Sequence, residues 1–151
     1  MLLYFVRDVC LCLSKNISNS IVVDFGTATT FEVIKHSIFS GGLIFPGVNL
    51  SKDSLINNTA LLKNTEVVKT KNIVAKNTKD AIRSGFYWGY VFAINGIIKK
   101  IINEKKFKPQ IILTGGLANI FKNDIRPKSI VKPNLTLEGL QVIGLRYYGK
   151  N

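Results

Sequence analysis

Apolar positions along the chain fall into two rhythms, short runs suited to strands and a long series spaced like a helix. The run Ile21-Val22-Val23 is β-branched throughout and predicts a buried strand ending at Asp24-Phe25-Gly26-Thr27. Residues 30–34 predict a second strand with Phe31 and Val33 on one face, and Lys35-His36-Ser37 a hairpin turn. A third strand is predicted over 39–45, interrupted by Gly41-Gly42 and stopped at Pro46-Gly47. A helix follows over 48–58, and 64–76 reads as irregular. The longest helix begins at Asn77 or Thr78, either of which can cap it by accepting from a free first-turn amide. Its apolar series is Ile82, Phe86, Tyr90, Ile94, Ile98 and Ile102. Beside it runs a series of small residues, Ala81, Gly85, Gly89 and Ala93. Each interior glycine costs about 1 kcal/mol relative to alanine, so a close backbone neighbour, either another helix or a dimer partner, is expected there. The strand Gln110-Ile111-Ile112-Leu113 runs into Thr114-Gly115-Gly116, a short helix starts near Leu117, 129–131 is a short strand, and 135–147 a final helix. Ahead of all these, 2–13 reads as a helix and 15–20 as a polar break.

Three strands followed by alternating helices and strands make an α/β fold, the order of a ribonuclease-H-like half-domain. Two turns in it carry candidate chemistry. In Asp24-Phe25-Gly26-Thr27-Ala28-Thr29-Thr30 a carboxylate at a strand end can hold a cation, while glycine and clustered hydroxyls suit a phosphate. In Thr114-Gly115-Gly116 the glycines clear space and the following helix start offers amides to an anion. Gly41-Gly42 with Pro46-Gly47 forms a third feature, shaping a strand and loop beside the first turn or simply making a bulge and a turn. Structural roles suffice elsewhere: His36 in an exposed hairpin, Tyr87 and Trp88 as core or interface aromatics, Asp53 and Asp80 near helix starts.

Composition narrows the partners. A chain of 151 residues with 46% hydrophobic and 20% charged residues predicts one globular domain. The formal net charge of +12 favours an anionic ligand. Its densest stretch (Lys99, Lys100, Lys105, Lys106, Lys108) lacks an arginine-rich arm or a nucleic-acid motif, so a solvated helix end is expected and a nucleic-acid partner is not. Cys10 and Cys12 cannot complete a four-ligand metal site and predict free thiols. The apolar start is too short to span a bilayer and has no cleavage pattern; a cytoplasmic protein without membrane association is expected.

An Asp-x-Gly-Thr turn paired with a later Thr-Gly-Gly turn resembles the second phosphate and adenosine motifs of the superfamily of actin, sugar kinases and heat-shock chaperones. The wording narrows it further. Ile21 to Phe31, Gly41-Gly42-Leu43-Ile44-Phe45-Pro46-Gly47, Asn77-Thr78 with Ala81-Ile82 and Ser84-Gly85, Thr114 to Ala118, and Leu135 to Leu140 are together similar to the type III pantothenate kinases, in that family's order. The resemblance covers about 21–148 and corresponds to the C-terminal half of the family's chain, so 1–19 is expected to be a helix and linker from the other half and 20–151 the C-terminal domain.

The resemblance implies transfer of the ATP γ-phosphoryl group to pantothenate at the start of coenzyme A synthesis, with Mg2+ and a monovalent cation, K+ or NH4+. By position, Asp24 would bind the monovalent cation, Gly26 and Thr27 the ATP phosphates, Gly115 and Gly116 the nucleotide, and Thr78 pantothenate. It also implies a homodimer with its substrate pocket near the interface. The family's Asp-x-Gly-Asn-Thr motif does not occur, and Leu2-Leu3-Tyr4-Phe5 stands where its Gly-Ala-Asp-Arg motif carries the general base, so no catalytic residue is assigned. Lys63 and Arg83 stand where the family has proline and glutamine. The expectation is a split or truncated kinase whose partner polypeptide supplies the other half; the alternative is a non-catalytic homologue acting as a binding or transcriptional accessory protein.

Overall fold

The structure, a computed structural model, describes residues 17–59 and 65–148. The helix expected over 2–13, both cysteines and Lys63 lie outside those residues. Five strands form one sheet: β1 (Ser20–Phe25), β2 (Ala28–Lys35), β3 (Ile38–Pro46), β4 (Gln110–Thr114) and β5 (Ser129–Val131). Their order is β3-β2-β1-β4-β5. The first three are antiparallel neighbours, while β4 runs parallel to β1 and β5 parallel to β4. The helices are α1 (Val48–Asn57), α2 (Thr78–Lys105), α3 (Ala118–Phe121) and α4 (Leu135–Tyr148). The expected order of elements is therefore the observed one, with most ends shifted by a residue or two.

The β-branched run of β1 is central because both its faces are covered, which is why it reads as continuous apolar sequence and not as an alternation. On one face Ile21, Val23 and Phe25, with Phe31, Ile111 and Leu113 beside them, pack with Tyr87, Val91, Ile94 and Ile98 of α2. On the other, Val22, Ile34 and Ile112 pack with Leu135 and Val142 of α4. The hairpin between β2 and β3 puts His36 and Ser37 at φ 52° and 60°, and His36 is exposed as expected. Gly41, at φ 99°, makes the bulge in β3, where the pairing with β2 shifts between Glu32 and Ile34.

Asn77 is the cap of α2, its side chain accepting from the Asp80 amide at 2.9 Å. Asp80 in the first turn and Lys105 in the last complement the helix dipole, and Lys35 Nζ donates to the Lys105 carbonyl at the far end. The buried line of α2 is Ser84, Tyr87, Val91, Ile94 and Ile98, with Tyr90 beside it. The apolar series seen in the sequence shares Tyr90, Ile94 and Ile98 with the buried residues. With 3.6 residues per turn a row of every fourth residue drifts around the helix by about 40° per step, so its ends, Ile82 and Ile102, are only half-buried. The small-residue series also differs from one of its two explanations. Nothing lies within 4 Å of a Cβ built on Gly85 or Gly89, so no helix among the described residues packs there.

Candidate functional site

Both glycine turns sit at the same end of the sheet, because β1 and β4 are parallel neighbours that end together. Asp24 is paired with Thr114 on β4 and with Thr30 on β2, which puts the three side chains in one row on one face. Gly26 and Thr27 follow in an exposed turn closed by the Gly26 amide donating to the Ala28 carbonyl at 3.1 Å. Gly115 has φ 85°, and a Cβ there would stand 2.4 Å from Asp24 Oδ1 and 2.6 Å from the Phe25 carbonyl oxygen. Glycine at this position is thus required twice over, by conformation and by contact. Gly47 braces the turn from the third side, since a Cβ on it would lie 1.9 Å from the Thr27 carbonyl oxygen.

Helix α2 holds both braces. The Tyr90 hydroxyl donates to the Pro46 carbonyl at 3.1 Å and lies 2.8 Å from Ser51 Oγ, pinning the β3–α1 corner that carries Gly47. Burial, partly offset by the Ser51 bond, raises the Tyr90 pKa, so the phenol stays neutral and available as a donor. On the other side the Phe121 ring stacks on Phe25 at 5.1 Å and on Tyr87 at 5.4 Å.

The donors near Asp24 are oxygen atoms. Thr114 Oγ1 is buried and has no hydrogen-bond partner among the described residues, although it occupies the strand position beside Asp24. An orphan buried hydroxyl costs about 1–3 kcal/mol. A cation held by Asp24 would give it a partner, and carboxylate and hydroxyl oxygens suit a hard cation such as K+ or Mg2+. These residues therefore fit the cation that the sequence implies.

Of the residues singled out from sequence, Asp24, Gly26, Thr27, Gly115 and Gly116 come together at this end. Thr78 does not join them. It opens α2 and lines a separate cavity of about 510 Å3 with Phe45, Leu55, Ile82, Phe86 and Tyr90, and Gly85 and Gly89 form part of the same wall. Tyr90 and the β3–α1 corner link the two sites. Two expectations need correction. The helix after Gly116 has four residues, Ala118–Phe121, and its cap Leu117 contributes no side-chain bond, so one turn offers little dipole to an anion. Of the third feature, Gly47 belongs to the site, while Gly41 and Gly42 line another groove with Val33, Ile97 and Ile101. Sequence reasoning named Thr114 only as part of its motif. Its orphan hydroxyl emerges from the strand register, which no local pattern reveals.

The sequence profile described as "Type III pantothenate kinase" matches residues 8–100. Two curated proteins of that name are similar to this chain. The one from Pelagibacter ubique is 40% identical over 126 residues, covering 83% of this chain and 51% of its own length. The one from Gluconobacter oxydans is 44% identical over 130 residues, covering 85% and 48%. Among solved structures, MreB 5 of Spiroplasma citri bound to AMPPNP superposes with a TM-score of 0.55 at 16% identity, over 97% of this chain and 59% of that one. This likeness establishes the actin-like ATPase fold. The chain spans about half the length of the curated relatives it matches. A profile covering most of the chain, relatives at this identity, and two turns meeting where their motifs require it leave one assignment: this chain belongs to the type III pantothenate kinase family.

Proposed function

We propose that this chain is the C-terminal half of an ATP-dependent pantothenate kinase and contributes half of its nucleotide site. The observation carrying this reading is the contact of Gly115 with Asp24 and Phe25, which brings the two glycine turns against each other at the strand ends. In this reading Asp24 holds a monovalent cation, K+ or NH4+, with Thr114 as a second oxygen donor. Gly26 gives a phosphate room to approach, and the Thr27 hydroxyl donates to its oxygens. Gly115 and Gly116 face the nucleotide. A bound Mg2+ would supply charge neutralisation on the phosphates, where phosphoryl transfer depends on positioning and electrostatics.

Thr78 contacts pantothenate at the rim of the apolar cavity, and the exposed face of Ala81, Gly85 and Gly89 meets a second copy of the chain. No residue of this chain is assigned the general base. That role, and the second clamp on ATP, fall to an N-terminal half carrying the Asp-x-Gly-Asn-Thr and Gly-Ala-Asp-Arg motifs. Action in the cytoplasm, where ATP and K+ are plentiful, fits this reading. Among the described residues no helix is long and apolar enough to cross a membrane.

The test is to mix the chain with such an N-terminal half, ATP, pantothenate, Mg2+ and K+. ADP should form only in the mixture and should fall at least 100-fold with Asp24→Ala. No ADP from the mixture, or formation indifferent to Asp24, would reject the reading.

A further inference from the structure

Residues 65–77 form neither helix nor strand, yet they are fastened to the body of the domain at several points. Lys69 Nζ donates to both carboxylate oxygens of Asp124, at 2.9 and 2.7 Å, and stands 6.0 Å over the Tyr87 ring and 5.6 Å over Trp88. Trp88 Nε1 donates to Thr70 Oγ1 at 3.2 Å, and the Ser84 hydroxyl donates to the Ile73 carbonyl. This strap runs directly into Asn77, the cap of α2, and Thr78. The strap thus ends against the first turn of α2, beside Thr78.

The anchor is itself built in. Asp124 also accepts from the Tyr87 hydroxyl, its backbone carbonyl accepts from Asn95 Nδ2 at 2.9 Å, and Asn95 Oδ1 accepts from the Arg126 amide at 2.8 Å. Hydrogen bonds from Lys69 and Tyr87, against the opposing effect of burial, hold the Asp124 carboxyl below the usual carboxylate range, so the carboxylate stays charged at neutral pH. Tyr87 then stacks on Phe121, and Phe121 on Phe25, the residue after Asp24. Those three rings are buried at 2% exposure or less, and a close-packed row of that kind transmits displacement instead of absorbing it.

We propose that Lys69 and Asp124 are positioning residues that lock the 65–77 strap, and with it Thr78, to the 24–27 turn through the Tyr87–Phe121–Phe25 stack. Order at the two sites is then coupled: loosening the strap loosens the turn. The functional consequence rests on the reading of Thr78 and Asp24 given above, whereas the coupling is a property of this chain alone.

The domain carries its own reporters. Trp88 is the only tryptophan, and its indole N–H is bonded to the strap; the Gly26 amide is bonded within the turn. The Ser37 amide, bonded to the Ser18 carbonyl in the distant hairpin, serves as reference. Hydrogen exchange followed by NMR on the chain and on Lys69→Met should show about threefold faster exchange at both Trp88 and Gly26, the size expected of a partly exposed ion pair. Ser37 should be unchanged, and Lys69→Arg should restore both rates. Faster exchange at Trp88 with Gly26 as before would overturn the proposal. So would equal acceleration at Ser37, since that is global destabilisation. Because the readout needs no turnover, failure to bind ATP or pantothenate would defeat the functional reading and leave this coupling to be decided separately.

Discussion

Glycines serve opposite ends in two regions of this molecule. At the ends of the strands, Gly47 and Gly115 lie where an added methyl would overlap backbone or carboxylate atoms of the 24–27 turn. Along α2, Gly85, Gly89 and Gly96 face space in which a Cβ meets nothing within 4 Å. The first pair is explained inside the chain, as the means of setting one turn against another. The second group costs helix stability for no gain within the described residues. The second copy proposed above, or the cavity whose wall Gly85 and Gly89 form, would give them a use.

Substitutions sharpen the contrast by sign as well as size. Gly115→Ala should cost about 3 kcal/mol, since strain at positive φ adds to overlap with Asp24 and Phe25, and Gly47→Ala a similar amount by overlap alone. Urea denaturation measures both; a cost below about 1 kcal/mol would mean that the turns are not in contact. Gly85→Ala and Gly89→Ala should instead stabilise the monomer by about 1 kcal/mol each. Gly89→Leu should in addition weaken self-association in sedimentation velocity, and unchanged association would place the partner elsewhere.

Asp124→Asn should cost about 1 kcal/mol at neutral pH. The folded-state pKa of Asp124 is lowered, chiefly by Lys69, so its contribution is present above the ordinary carboxylate value and is lost as pH falls through the folded-state value. The gap between wild type and Asp124→Asn should therefore close in acid. Burial and the Asp124 bond raise the Tyr87 pKa, so that part persists below the ordinary tyrosine value and fades only in strong alkali. Thr114→Val should have the smallest effect on stability, within about 1 kcal/mol and in the stabilising direction, because it removes a buried hydroxyl that has no partner among the described residues. It should also remove part of the stabilisation conferred by K+ in a thermal melt.

Much of this was readable without coordinates. The β-branched run of β1, the turn after it and the Thr-Gly-Gly turn after β4 each announce themselves locally, and parallel strands that end together bring the turns side by side. Local pattern could not supply what depends on register or on distant contacts. Only part of the buried line of α2 shows in the apolar series, because a row of every fourth residue winds around the helix; Tyr90, Ile94 and Ile98 belong to both, whereas Ser84, Tyr87 and Val91 lie outside the row. The strap was legible only as irregular, since its order comes from single side chains (Lys69, Thr70) reaching residues 18 to 55 positions away. The separation of Thr78 from the 24–27 turn was hidden for the same reason: motif order says nothing of which face each motif occupies.

An NMR titration of the chain with ATP in KCl and Mg2+ reads the central claim at its own residues. The amides of Gly26, Thr27, Gly115 and Gly116 should shift together along one binding curve, in the millimolar range for half a site, and Asp24→Asn should flatten all four. Saturating shifts confined to other residues, or separate curves for the two turns, would contradict a shared nucleotide site.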